Sequence, residues 1–185
     1  MLFRRKQEIT HADTTVRARA KINLTLDVTG RREDGYHTVE MVMQSIALHD
    51  TVRVTTIHGE KKPRGIVLSC SLPFLPTDER NLAYRAAELF YKETGALLET
   101  CEIEKRIPVA AGLAGGSTDA AAVLRALNAL HTAGLTDDEL CEMGLKLGAD
   151  VPFCLRGGTM LAQGIGEELS LLPDMPHCWV VLCKP

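Results

Sequence analysis

Apolar and polar residues alternate cleanly from Ile22 to Val28, with Ile22, Leu24, Leu26 and Val28 on one side. A period of two over residues 16–29 predicts a half-buried strand. The same alternation puts Lys21 and Asn23 on the opposite face. The tract Arg31-Arg32-Glu33-Asp34-Gly35 that follows is a turn, with Asp-Gly as its sharpest signal. Residues 38–48 and 51–57 predict two more strands. Residues 58–65, with Gly59 and Pro63, form a polar turn, and residues 66–70 predict another strand.

Helical spacing begins after Pro76. Asn81 is placed to N-cap residues 82–94, and Gly95 to stop them. Residues 99–107 alternate again, with Cys101, Ile103 and Lys105 on one side. Small residues then run through PVAAGLAGGSTDAAA, residues 108–122, into a helix over 117–131. Thr136-Asp137-Asp138-Glu139 is a capping box that opens a third helix, closed by Gly148. Residues 151–163 and 178–183, the latter CWVVLC, predict strands. Strands, helix, strand, loop, two helices and strands in that order make an α+β fold with a mostly antiparallel sheet, not a βαβ alternation.

Composition narrows the function classes. A chain of 185 residues is enough for one domain with a sizeable core, and 45% hydrophobic with 24% charged residues excludes a disordered chain. A net charge of -3 gives no reason to expect a nucleic-acid binder. The longest apolar runs fall far short of the ~20 residues of a membrane helix. The first 21 residues lack the apolar core of a secretory signal; their basic clusters, Arg4-Arg5-Lys6 and Arg17-Arg19-Lys21, have the charge of a transit peptide, which Glu8 and Asp13 oppose. Of the six cysteines, none is spaced C-x-x-C, so no zinc site is expected. Cys70, Cys101, Cys178 and Cys183 lie among apolar or strand-like residues and read as buried free thiols of a cytoplasmic protein.

The small-residue loop carries the candidate chemistry. Glycine lets a ligand approach the main chain and lets the chain take positive φ. A helix starting at Ser117-Thr118-Asp119 offers unpaired N–H groups and the positive end of its dipole. Together these can seat a phosphate, with hydroxyls from Ser117 and Thr118 in reach of oxygens or a metal. A tight turn with close helix–sheet packing explains the same residues. A Walker A loop is excluded for want of its lysine, and Gly112, Gly115 and Gly116 do not spell G-x-G-x-x-G. If a nucleoside triphosphate sits there, Lys21 is the candidate cation and Asp150, in LGADVPF, the candidate base. A solvated strand lysine and a helix-ending turn residue are the plainer readings of the two.

Three stretches together resemble the GHMP kinase superfamily, which includes galactokinase, homoserine kinase and mevalonate kinase. They are AKINLTLDVTGRREDGYHTVE (20–40), RIPVAAGLAGGSTDAAAVLRALN (106–128) and MGLKLGADVPFCLRGGTMLAQGIGE (143–167). The resemblance runs from about Val16 to the end. It implies a ribosomal protein S5 domain 2-like ATP-binding domain over 16–170, after an extension at 1–15. Residues 171–185 then begin the crossover to a ferredoxin-like C-terminal domain with a second glycine-rich motif, which the sequence does not contain. GRREDGYH and GADVPF within these stretches resemble the member that phosphorylates the 2-hydroxyl of a cytidine-diphosphate-linked methylerythritol on the non-mevalonate route to isoprenoids.

By that resemblance Asp150 is the catalytic base or the group that orients the hydroxyl, and Lys21 is its partner. Asn23 helps to hold the substrate, and Tyr36 and His37 frame the cytosine. Pro108, Val109, Ala110, Ala111, Gly112, Leu113, Ala114, Gly115, Gly116, Ser117 and Thr118 wrap the ATP phosphates. Asn81 and Lys105 lie beside the adenosine. Mg²⁺ accompanies ATP and leans on phosphates, water and Ser117, with no protein-built metal site. Ala114 stands where many relatives have glycine, and Thr118 where many have serine. Turnover by this chain alone is expected to be weak or nil; a nucleotide-binding domain without turnover, or another GHMP small-molecule kinase, are the alternatives.

Overall fold

The structure, a computed structural model, describes residues 10–31, 33, 35–58, 65–96 and 99–184. The extension before Thr10, Arg32 and Asp34 of the predicted turn, and residues 59–64 of the polar turn lie outside them.

Two long strands form the spine. β1 (Thr10–Arg31) and β2 (His37–His58) pair antiparallel along their length. The two strands predicted at 38–48 and 51–57 are therefore one, and pairing in β1 reaches back ahead of Val16. On its other edge β2 carries two partners in succession. β4 (Thr100–Glu104) pairs antiparallel with residues 51–55, and β5 (Thr159–Gln163) with residues 41–44. β3 (Val67–Cys70) runs parallel to β4, and β6 (Glu168–Leu171) closes the other side against β5.

The helices α1 (Leu82–Thr94), α2 (Gly115–Leu130), α3 (Asp137–Leu145) and α4 (Asp150–Arg156) complete the fold. Val52 and Val54 of β2, Cys101 and Ile103 of β4, Phe90 of α1 and Leu124 and Leu127 of α2 share one buried cluster. Each fully buried large apolar side chain contributes about 1.5–3 kcal/mol. α2 is the central helix. From Thr118 to Leu127 only Arg125 is exposed, and its alanines let neighbouring elements approach on several sides. Ala18 and Ala20 of β1 are buried for the same reason.

The segment 151–156 is helix, not strand. A short apolar run such as VPFCL fits either periodicity, and the local chemistry favours the helix. Pro152 falls in the first turn, where its missing N–H costs nothing. Val151 and Leu155, four apart, then face α3, where a Cβ on Gly144 would stand 2.8 Å from Val151 Cγ1. The predicted C-terminal strand is also corrected. Residues 172–184 are irregular, with Trp179 and Val181 each 92% exposed, because no described strand offers them a ladder. Cys178 and Cys183 are accordingly exposed rather than buried, whereas Cys101 is buried as expected. In β1 the predicted half-buried face is open as well, with Leu24, Leu26 and Val28 between 44% and 60% exposed. Register slips after Arg19, Asn23 and Val28 break the alternation that the sequence implies.

Candidate active site

Local features of β1, α4 and α2 meet at one cleft of about 510 Å³. The first is the register slip in β1 between Arg19 and Lys21, which bends the strand and re-aims its side chains. Here the Lys21 N–H donates to the Leu113 carbonyl at 3.2 Å, tying the strand to the crest of the glycine loop. The Lys21 side chain is 7% exposed; its ammonium donates to Asn23 Oδ1 at 3.1 Å and lies 3.5 Å from Asp150 Oδ1.

The start of α4 is the second. Asp150 is its first residue, where a negative charge suits the positive end of the helix. Its side chain is 35% exposed, which leaves one side of the carboxylate open to the cleft. Lys21 and Asp150, 129 residues apart in sequence, thus form one ion pair at the cleft's end.

The third is the loop and the helix it opens. Ala110, Gly112 and Ala114 have φ of 54°, 71° and 57°. Left-handed residues at every second position let successive N–H groups converge on an anion. Ala114 takes the N-cap position of α2 but supplies no side-chain cap, in contrast to Asn81 on α1 and Thr136 on α3. The first intrahelical bond runs from the Thr118 N–H to the Ala114 carbonyl. The amides of Gly115, Gly116 and Ser117 are therefore free of helical partners, and these residues line the cleft.

Beneath the loop lies a buried ionic group. The Lys105 ammonium, its side chain 5% exposed, donates to Asp119 Oδ2 at 2.7 Å and to Asp50 Oδ2. Asp50 Oδ1 accepts from the N–H groups of Arg106 and Ile107. Burial pushes Asp119 up to about 7, against the pull of Lys105. Burial also works against the Lys105 charge, but Asp119 and Asp50 more than offset it and its pKa is raised. Asp119 Oδ1 has no hydrogen-bond partner among the described residues. Nearby, burial lifts the Cys154 thiol to about 12, which makes it inert.

The structure brings Lys21, Asp150, Asn81, Lys105 and the loop residues Pro108 through Ser117 to one cleft. Asn23 joins them through Lys21. Asn81 is held by its own cap, accepting from the Ala83 N–H and donating to the Pro76 carbonyl. Thr118 turns away, 2% exposed, its hydroxyl donating to the Arg19 carbonyl, so Ser117 is the loop hydroxyl left at the cleft. Tyr36 and His37 are not brought there. They stand exposed where β1 turns into β2, ten residues along β1 from Lys21 and beyond. Sequence reasoning missed Asp50, Asp119 and Arg80. Asp50 falls between the two strands predicted at 38–48 and 51–57, and Asp119 reads as an ordinary helix-start residue. Arg80 lines the cleft wall and is fixed by Asp78, whose carboxyl Arg80 holds down at about 2.

Among the described residues no three His, Cys, Asp or Glu side chains cluster to hold a metal. No described helix is long and apolar enough to cross a membrane. An uncapped helix end, a left-handed loop and a buried lysine beside a carboxylate are together features able to receive an anion.

Comparison with known proteins bears on family and fold. Residues 81–158 match the model of the GHMP kinases N terminal domain, and the fold is α+β with a mostly antiparallel sheet. Several curated relatives share one name. A 4-diphosphocytidyl-2-C-methyl-D-erythritol kinase of Clostridium botulinum is 54% identical over 172 residues, which is 92% of this chain and 59% of the relative. One from Brevibacillus brevis is 53% identical over 175 residues, 92% of this chain and 58% of the relative. A crystal structure of 4-(cytidine 5'-diphospho)-2C-methyl-D-erythritol kinase is 41% identical with a TM-score of 0.69, over 86% of this chain and 55% of that one. The Methanococcus jannaschii mevalonate kinase shares the fold alone, at 12% identity and a TM-score of 0.63 over 88% of this chain and 56% of its own. The chain spans somewhat under three fifths of the length of the curated relatives it matches.

Proposed function

We propose that this chain is the ATP-binding part of a small-molecule kinase that phosphorylates the 2-hydroxyl of 4-diphosphocytidyl-2-C-methyl-D-erythritol. The single observation that carries the reading is the Lys21–Asp150 pair, 3.5 Å apart, at the end of a cleft whose wall is the uncapped start of α2. The names of the relatives supply the acceptor.

Phosphoryl transfer asks little covalent chemistry of a protein, so position and charge decide the rate. The N–H groups of Gly115, Gly116 and Ser117 and the dipole of α2 neutralise the triphosphate from one side. Asp150, half open to the cleft, accepts the proton of the incoming hydroxyl or orients it, a role that typically contributes ~10²–10⁴-fold. Lys21 stabilises the oxygen as it gains charge; buried and already paired, it needs little rearrangement at that moment. The donor set fits a triphosphate with a divalent cation held mainly by phosphate oxygens. Ser117 is the protein hydroxyl placed to join it, and the cation would screen charge on the transferring phosphate.

A second reading, nucleotide binding without turnover by this chain alone, is favoured by the position of Tyr36 and His37. The side chains meant to frame cytosine stand exposed away from the cleft, with Tyr36 62% exposed.

Substitution of Asp150 tests the proposal. In the full-length enzyme Asp150→Ala lowers transfer at least a hundredfold while ATP affinity stays within threefold. Activity that persists within tenfold removes Asp150 from the role.

A further inference from the structure

The functional reading leaves two buried carboxylates without a part to play. Asp50, on β2, is fully buried, and Asp119, in α2, is 4% exposed. Asp50 Oδ1 accepts from the Arg106 N–H at 2.5 Å and the Ile107 N–H at 2.8 Å, while its Oδ2 takes the Lys105 ammonium. These three residues are the last before the loop begins at Pro108. The same ammonium reaches Asp119, 14 residues on and already inside the helix that follows the loop. One cation therefore joins the strand before the loop to the helix after it, above a carboxylate anchored in the central strand.

Packing gives no reason for such a group. Taking charges out of water costs several kcal/mol per ion before pairing, and apolar residues of like volume would fill the space at least as well. What ions provide and apolar contacts do not is a fixed geometry. Gly115 shows how close the fit is: a Cβ there would stand 3.3 Å from Lys105 Nζ and 3.3 Å from Ile107 Cγ2. The glycine at this position thus makes room for the lysine below the loop. Other fastenings act at single points: the Lys21 N–H to the Leu113 carbonyl and the Thr118 hydroxyl to the Arg19 carbonyl hold the crest and the helix to β1, and the Lys184 ammonium donates to the Val109 carbonyl. Only the Asp50–Lys105–Asp119 bridge spans the loop from end to end among the described residues.

We infer that Asp50, Lys105 and Asp119 form a positioning bridge that sets the distance between the start of the loop and the first-turn amides of α2, and with it the width of the triphosphate cradle. The inference rests on the nucleotide reading. Lys105 then acts through the loop and makes no contact with adenosine. Asp119→Ala cuts the bridge yet leaves Lys105 paired with Asp50, in a helix that favours alanine.

The test is calorimetry on the purified chain with two probes, Mg²⁺ with the imido analogue of ATP, and adenosine. Asp119→Ala weakens the triphosphate analogue at least tenfold and leaves adenosine within twofold; Asp119→Asn, whose amide oxygen can still accept from Lys105, restores the analogue to within threefold of wild type. Equal losses for both probes, or no loss, overturn the bridge. Absence of analogue binding by the wild-type chain overturns the nucleotide reading itself and the inference built on it. Should Asp119→Ala fail to fold, amide exchange in the ligand-free wild type decides. The Arg106 and Ile107 amides exchange at least a hundredfold slower than in an unstructured peptide; rates near the peptide value overturn the bridge.

Discussion

Lys21 shows how far a single position can be read. Its residue type and its place opposite Ile22 mark it as a candidate cation, yet a solvated strand lysine is the plainer reading of the sequence. The deciding contact is with Asp150, 129 positions away, and no local pattern encodes it. The loop divides in the same way. Gly112 is needed for its left-handed φ of 71°, since nothing lies within 4 Å of a Cβ built there. Gly112→Ala is therefore expected to cost about 1–2 kcal/mol of backbone strain with no clash. Ala114 already bears such strain at φ 57°. Ala114→Gly relieves it, less about 0.4–1 kcal/mol of added freedom in the unfolded chain, so its net effect is small and not destabilising. Urea unfolding of the two variants checks the pair, and a destabilising Ala114→Gly would contradict the left-handed assignment.

Asp119 carries the pH dependence at this scale. Burial lifts its pKa from 3.8 to about 7. Between those values the native chain holds a proton that the unfolded chain has released. Stability from this group is thus complete below the unfolded value and is lost as pH rises through the folded one. Asp119→Asn cannot titrate and lacks this loss. Unfolding free energies of both proteins at about pH 4.5 and about pH 6.5 should show the wild type falling relative to the variant. A wild type that gains on the variant over that interval contradicts the buried, raised carboxyl.

Elements with strong local chemistry were legible, and elements defined by tertiary context were not. The capping box of α3 is present in full: Thr136 Oγ1 accepts from the Glu139 N–H, and the Glu139 carboxylate from the Thr136 N–H. Thr136→Ala is expected to cost about 1 kcal/mol, read as a shift in the urea midpoint; an unchanged midpoint would mean the cap is redundant. The Asn81 cap and Gly95 stop of α1 were equally visible. By contrast, α4 reads as a strand because VPFCL lacks a cap signal and is too short to show its period. Its helical identity comes from packing on Gly144. The single 22-residue β2 reads as two strands, 38–48 and 51–57, although Asp50 between them is buried within it as an acceptor for the next loop. In β1 the slips that aim Lys21 at the cleft also spoil the alternation, so the candidate site residue stands where the strand pattern fails.

At the scale of the molecule, a mostly antiparallel sheet and a central alanine-rich helix bring three distant sequence stretches to one cleft. The α+β class and the order of those stretches were readable from the chain. The buried Asp50–Lys105–Asp119 group was not, because each member sits in a different element. Leu24, Leu26 and Val28 continue along β1 from the cleft with their apolar surface open, in a chain spanning 59% of its Clostridium botulinum relative. Every role proposed for the cleft depends on where a triphosphate binds. The most direct measurement is a crystal structure of the chain with Mg²⁺ and the imido analogue of ATP. Phosphate oxygens are expected on the amides of Gly115, Gly116 and Ser117, with the terminal phosphate facing Lys21 and Asp150. A triphosphate bound elsewhere, with those amides unoccupied, would contradict it.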